Sequence, residues 1–228
     1  MQLEVGSAIR LSLAVGLAAA LLGLVPALAA AWALARRQFA GKSLLTALVM
    51  APLVLPPVVT GLLMLRLFGR ATSIGHVLEQ AGLPVTFSIL GAILVAFVVA
   101  FPIYVMTIRA AFEAIDPRYE EVSLSLGKPP LETFRRITLP LAFPGIAAGF
   151  VLAFARGLGE FGATAIIAGN IEGRTRTIAL AVYALLDGPG DDPRLLQLVL
   201  ASLTLSLASL VGFEALNRWQ RRRLEVDV

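Results

Sequence analysis

Residues Arg156 to Gly162 read RGLGEFG, and the fold turns on how this heptapeptide is understood. Gly157, Gly159 and Gly162 match the spacing G-x-G-x-x-G, which in a soluble nucleotide-binding domain wraps backbone around a pyrophosphate. That reading needs a preceding strand, a following helix in a βαβ unit and an acidic residue about 20 positions on. Here the peptide lies inside an apolar run from about Phe143 to Ala168, which reads as one continuous membrane segment. The glycines are then expected to form a slim surface for close helix packing. Arg156 and Glu160, four apart, would share a helix face, and at that depth they must face protein or water and pair.

The composition carries the same message across the whole chain. Of the 228 residues 58% are hydrophobic and only 15% charged, and the mean hydropathy is +0.85, far outside the soluble range. Apolar runs of at least about 18 residues fall near 9–35, 44–68, 86–108, 143–168 and 195–216, which predicts an all-α integral membrane protein with five transmembrane helices. No stretch remains that would bury a second core, so residues 1–228 are expected to form one transmembrane domain. The first run lacks a basic flank ahead of it and is too long for a signal peptide, so it is expected to be retained. The absence of cysteine excludes disulfides and thiolate chemistry.

Basic residues set the orientation under the positive-inside rule. Twelve fall on one side: Arg36, Arg37, Lys42, Arg109, Arg118, Lys128, Arg135, Arg136, Arg218, Arg221, Arg222 and Arg223. Six fall on the other, namely Arg10, Arg66, Arg70, Arg174, Arg176 and Arg194, and Arg156 completes the nineteen. The bias predicts an N-terminus outside and a C-terminus inside. The basic tail NRWQRRR is expected to be a topology determinant beside anionic lipid, with no nucleic-acid partner.

The longest inner connection, about 109–141, is too structured for a linker. Asp116–Pro117 is a helix start, Gly127 with Pro129 and Pro130 imposes a break, and LETFRRI forms a second short helix toward Pro140. A helix–break–helix with apolar Val122, Leu124 and Leu126 among polar neighbours suits docking onto a partner. The alternative is an amphipathic connector on the lipid headgroups.

Within this loop, EVSLSLGKPPLETFRRITLP resembles the E-A-A-x3-G-x9-I-x-L-P signature of binding-protein-dependent ABC importer permeases. Glu121, Gly127, Ile137, Leu139 and Pro140 fall at the family spacing, and Val122 and Ser123 stand where two alanines are usual. PLVLPPVVTGLL, LAFARGLGEFGAT and GNIEGRTRTIALAVY extend the similarity over nearly the whole chain, toward the molybdate permeases of that family. The resemblance implies the type I importer fold with a cytoplasmic coupling helix between the third and fourth spans. It implies a homodimer lining a molybdate or tungstate pathway in a bacterial or archaeal inner membrane, with ATPase subunits on the cytoplasmic loops and an oxyanion-binding protein outside. ATP and Mg²⁺ would reside on the ATPase, and this chain would bind no cofactor and no metal.

Glu121, Val122, Ser123, Gly127, Ile137, Leu139 and Pro140 are the expected coupling residues. Pro56, Pro57, Thr60, Gly61, Arg156, Glu160 and Thr164 are expected in the pathway or its gate. For Arg156 and Glu160 two roles stay open, an ion pair fixing helix packing or a charge lining the anion pathway. Among the outer acids, Glu172, Asp187, Asp191 and Asp192 would meet the binding protein.

The chain is not expected to hydrolyse ATP, because the nearest approach to a P-loop, RRQFAGKS, has Arg36 where G-x4-G-K-[ST] needs glycine. Gly41, Lys42 and Ser43 read instead as the start of the second helix. The single histidine, His76, lies in an outer loop. A membrane-embedded transferase would need clustered carboxylates or histidines at the headgroup plane, and a dual-topology secondary carrier would need a near-zero basic bias. Sulfate or thiosulfate permeases share the fold and remain the competing assignment. Reporter fusions at Ala40 and Gly127 should read as cytoplasmic and at Gly188 as external; an external Gly127 overturns the orientation.

Overall fold

Small residues recur along one face of the first helix, α1 (Val5–Arg36), where Ala8, Ser12, Gly16, Ala20, Gly23, Ala27 and Ala31 are all buried. Spaced three or four apart, they let partner helices approach to backbone contact, which matters in lipid because apolar burial alone does not drive helices together. In the computed structural model, which describes residues 5–186 and 192–226 with 223–226 by backbone only, α5 (Ile89–Glu113) lies along this face. α8 (Leu139–Leu158) closes the trio. A Cβ on Gly157 would stand 3.5 Å from the Gly16 Cα. Asp187, Gly188, Asp191 and the Arg223 side chain lie outside the described residues.

Two apolar clusters mark the ends of the bundle. One gathers Leu34, Val49, Tyr104, Phe112, Ile115 and Ile146 near the α5–α8 connection. The other gathers Val15, Met64, Val85, Val95 and Ile167 at the far end.

The second predicted span is not a single straight helix. It consists of α2 (Lys42–Val54) and α3 (Pro57–Phe68), bent by 113° at the break. Two adjacent prolines cause this: they remove two N–H donors, and the residue before a proline avoids the helical region. Leu55 and Pro56 are accordingly extended, at ψ 138 and 135. Val49 of α2 belongs to the first cluster and Met64 of α3 to the second, so the pair links the two ends as one broken span. With the four unbroken candidates this makes five. Gly41 starts α2 at φ +91, in keeping with its reading as a helix start.

The fourth span departs from expectation at both ends. It begins at α7 (Pro130–Thr133), passes through a π turn, Phe134–Thr138, and runs unbroken into α8. The second short helix of the loop is therefore the start of the span itself, and Pro140 does not mark a separate re-entry. Pro140 lacks the N–H that would meet the Arg136 carbonyl, and the wider π turn absorbs the defect, with the Leu139 N–H donating to Phe134 O five residues back. At its other end the helix stops at Leu158, and a new short helix, α9 (Gly162–Ile167), starts after the break. The continuous reading through Ala168 is thereby corrected.

The remaining helices are peripheral. α4 (Ser73–Gln80) is capped by Thr72, whose Oγ1 accepts the Gly75 N–H at 3.0 Å. It carries the exposed His76, placing that residue on a short helix rather than in a loop. α6 (Arg118–Ser125) lies in the α5–α8 connection. α10 (Ile178–Leu186) is tied to α1 by the Ile178 N–H donating to Ser12 Oγ at 2.7 Å. α11 (Pro193–Val226) packs on α8 and is started by Asp192, which accepts the Arg194 N–H at 2.9 Å. Side-chain and backbone hydrogen bonds from Arg194 hold the Asp192 carboxyl below its usual range.

α3 and α9 approach each other backbone to backbone. A Cβ on Gly61 would meet the Ala163 Cα at 2.8 Å and its carbonyl oxygen at 2.9 Å, and backbone cannot step aside as a side chain can. Gly61→Ala should lower stability by about 1–3 kcal/mol, whereas Gly6→Ala, with nothing within 4 Å, should be neutral. Thermal unfolding of the two variants in detergent checks the contrast; equal midpoints would refute the packing.

Candidate functional site

The α5–α8 connection is built as a rigid platform. Asp116 Oδ1 accepts the Arg118 N–H at 2.9 Å and so opens α6. α6 ends at Gly127, whose φ of +79 suits a residue without Cβ. There the Gly127 N–H donates to Leu124 O and the Lys128 N–H to Ser123 O. Ser123 is buried and its hydroxyl lies 2.8 Å from that of Thr133, pinning α6 to α7.

The strongest anchor is one that sequence reasoning missed. Glu120 Oε1 accepts from Arg36 Nε at 3.2 Å and from Thr138 Oγ1 at 2.9 Å, while Arg36 Nη2 donates to Ile115 O at 3.1 Å. This joins the end of α1, the end of α5, α6 and the π turn. The only sequence signal was that Arg36 and Glu120 fall on the same side of the membrane.

The predicted coupling residues divide accordingly. Val122 and Leu126 are 58% and 76% exposed, and Leu124 and Leu131 also point outward, an apolar patch that invites a partner. Beside it opens a groove of about 930 Å³ lined by Tyr119, Val122, Leu126, Glu132, Arg136 and Ile137. Glu121, Gly127 and Pro140 are exposed, and Ile137 and Leu139 half-buried. Ser123 faces inward and holds the platform rather than its surface. Across the groove Glu132 pairs with Lys128 at 3.1 Å and Arg136 at 3.3 Å.

The second locality is where the two broken spans meet. A Cβ on Gly162 would stand 3.1 Å from Pro57 Cβ, and Gly61 abuts Ala163 as described. The breaks at Leu55–Pro56 and Gly159–Phe161 thus lie side by side, with Pro56, Pro57 and Gly159 still exposed. Helix ends at membrane depth are tolerated only where protein or water satisfies their backbone groups.

Here Arg156 and Glu160 form the expected pair, Nη1 to Oε2 at 3.1 Å, but not as neighbours on one helix. Glu160 lies past the end of α8, and its Oε1 accepts the Ala163 N–H at 3.0 Å, so one carboxylate ties the last turn of α8 to the first of α9. The Glu160 side chain is 2% exposed and that of Arg156 30%. Thr60 and Thr164 are buried nearby in α3 and α9, and the Thr60 hydroxyl has no hydrogen-bond partner. Of the three fingerprint glycines, Gly157 and Gly162 pack closely and Gly159 forms the break.

An all-helical membrane domain with two adjacent helix breaks and a rigid, apolar-topped platform has the architecture of a membrane transport subunit. The profile described as binding-protein-dependent transport system inner membrane component matches residues 9–225, and the chain belongs to that family. It is 47% identical over 219 residues to the molybdenum transport system permease protein ModB of Haemophilus influenzae, covering 96% of both chains. With the protein of the same name from Escherichia coli it shares 45% over 217 residues, 95% of both. The sulfate transport system permease protein CysT of Salmonella typhimurium is 34% identical over 220 residues, 96% of this chain and 79% of that one.

Two solved structures share the fold, that of type I ABC importer permeases. The inward-facing MetNI methionine ABC transporter gives a TM-score of 0.58 at 16% identity, over 98% of this chain and 94% of that one. A bacterial ABC transporter that imports alginate gives 0.64 at 18%, over 95% and 78%.

If the Arg156–Glu160 pair serves assembly, removing one partner strands a charge at a cost of about 3 kcal/mol on insertion scales. Arg156→Ala should then reduce recovery of folded protein more than the double replacement Arg156→Ala with Glu160→Ala. Size-exclusion yield of the three variants decides this, and equal yields would sink the pairing role.

Proposed function

We propose that this chain is the permease subunit of an ATP-driven molybdate importer. The observation that carries the assignment is identity of 45–47% over almost the full length with molybdenum transport permeases, against 34% with a sulfate permease. Two copies form the pathway, an ATPase subunit docks on each α6 platform, and an oxyanion-binding protein delivers the ion at the far end. ATP and Mg²⁺ belong to the ATPase, and this chain contributes no nucleotide site. The N-terminus faces outward and the C-terminus the cytoplasm, a reading supported by the bias of the basic residues.

In this reading Val122, Leu124 and Leu126 enter an apolar recess of the ATPase, with Glu121 at its rim. Gly127 allows the turn to lie flush against the partner, Ile137 lines the groove behind it, and Leu139 and Pro140 pass the contact on to α8. At the helix breaks, Pro56, Pro57, Thr60, Gly61, Arg156, Glu160 and Thr164 surround the route of a tetrahedral dianion.

Gly127 gives the sharpest test. A Cβ there meets nothing within 4 Å in this chain, so a substitution strains only the backbone turn and burdens the docking surface. Gly127→Val should leave insertion intact, weaken copurification of the ATPase and abolish uptake of labelled molybdate. Unchanged association with normal uptake would refute the docking role, and wild-type vesicles that accumulate sulfate in preference to molybdate would refute the substrate.

A further inference from the structure

Arg156 lies at membrane depth. Gly157 beside it approaches Gly16 and Ala96, and Ala96 is the eighth residue of α5, about 10 Å inside that helix end. Its side chain nevertheless keeps 30% of its surface exposed. A guanidinium at such depth does not face hydrocarbon, so its open side faces water or, in the proposed dimer, the second copy. On its closed side its ion pair, among the described residues, runs to one carboxylate oxygen of Glu160, whose other oxygen accepts the Ala163 N–H.

We infer that Glu160 is the competing counter-ion of a transient oxyanion site on Arg156, so that the pair admits the dianion and then expels it. The inference rests on the proposed oxyanion pathway. A fixed, unpaired cation in the pathway would hold a dianion too long for transport, because conduction needs binding that is favourable enough to enter and weak enough to leave. Glu160 supplies the weakening. The arriving oxyanion displaces Oε2 from the guanidinium, while Oε1 keeps its bond to α9, so the carboxylate stays within reach and reclaims Arg156 as the ion moves on. No covalent step is involved. The arrangement also assigns the unequal burial a meaning: the anionic partner is enclosed and positioned, and the cationic partner is left open toward the ion.

Glu160→Gln tests this because the amide oxygen can still accept the Ala163 N–H, while the competing charge is lost and the amide NH2 turns a donor toward Arg156 in place of the Oε2 acceptor. The complex with its ATPase is placed in nanodiscs without the external binding protein, and equilibrium binding of radiolabelled molybdate is measured. Uptake is followed in proteoliposomes with the binding protein present. Glu160→Gln should bind molybdate roughly tenfold more tightly than wild type and transport it roughly tenfold more slowly, as expected where exit limits conduction. Adding Arg156→Gln should abolish the gain in binding.

Wild-type affinity in Glu160→Gln, or tightened binding that survives the loss of Arg156, overturns the inference. So does a fall in thermal stability with no rise in affinity, which is the signature of a packing role. Should Glu160→Gln not assemble, Glu160→Asp carries the comparison, because the shorter carboxylate retracts from Arg156; intermediate tightening supports the inference and unchanged binding overturns it. If the wild-type complex imports sulfate and not molybdate, the substrate assignment fails, and the same variants read with labelled sulfate decide the role of Glu160.

Discussion

A helix that stops inside a bilayer leaves backbone donors and acceptors that hydrocarbon cannot satisfy. The structure meets that constraint twice in one place. The break between α2 and α3 is laid against the break between α8 and α9, glycine to proline and glycine to alanine, so the two interruptions share one locality. That solution dictates much of the rest. α3 and α9 need small residues at their contact, α1 and α5 need a smooth face to hold α8 at the depth where it ends, and a charge is tolerated at the break because an opposite charge is already there.

Much of this was legible in the sequence, and the part that was not has a physical reason. Five spans follow from hydropathy alone because each apolar run exceeds the bilayer thickness, and the platform follows from Asp116, Gly127 and the paired prolines. The breaks escaped because a window long enough to find a span averages over three residues that interrupt it. Pro56–Pro57 and Gly159 were visible, yet prolines and glycines also occur in ordinary kinked membrane helices, so their presence did not distinguish a bend from a stop. Pro140 misled in the opposite sense: it reads as a helix boundary, and a π turn carries the helix through it. The Arg36–Glu120 anchor joins residues 84 apart, a separation at which no periodicity reports contact. Ser123 belongs to the family signature, but that word does not say which of its residues face the partner and which face the chain.

The platform and the break are mechanically connected. From Pro130 to Leu158 the chain is helical without interruption, 29 residues or roughly 40 Å of rod, with the docking patch at one end and Arg156 in its final turn. Glu120 fixes the base of that rod to α1 through Arg36 and to the π turn through Thr138. A π turn at the base is a place where helices commonly carry functional distortion, and here it lies directly beneath the groove that the exposed leucines border.

The break at the other end determines what such a rod can move. Had α8 continued to Ala168, Arg156 and Glu160 would ride on one helix, and any displacement would carry both together with their separation unchanged. Because the helix stops at Leu158, Glu160 belongs to the connection and caps α9, so a shift of the rod changes the distance between the two charges. α9 in turn bears on α3 through Gly61 and Ala163, a backbone contact with no slack. On the proposed function, a push on the platform would reach first an ion pair and next a backbone-close helix contact, both at the point where two spans break.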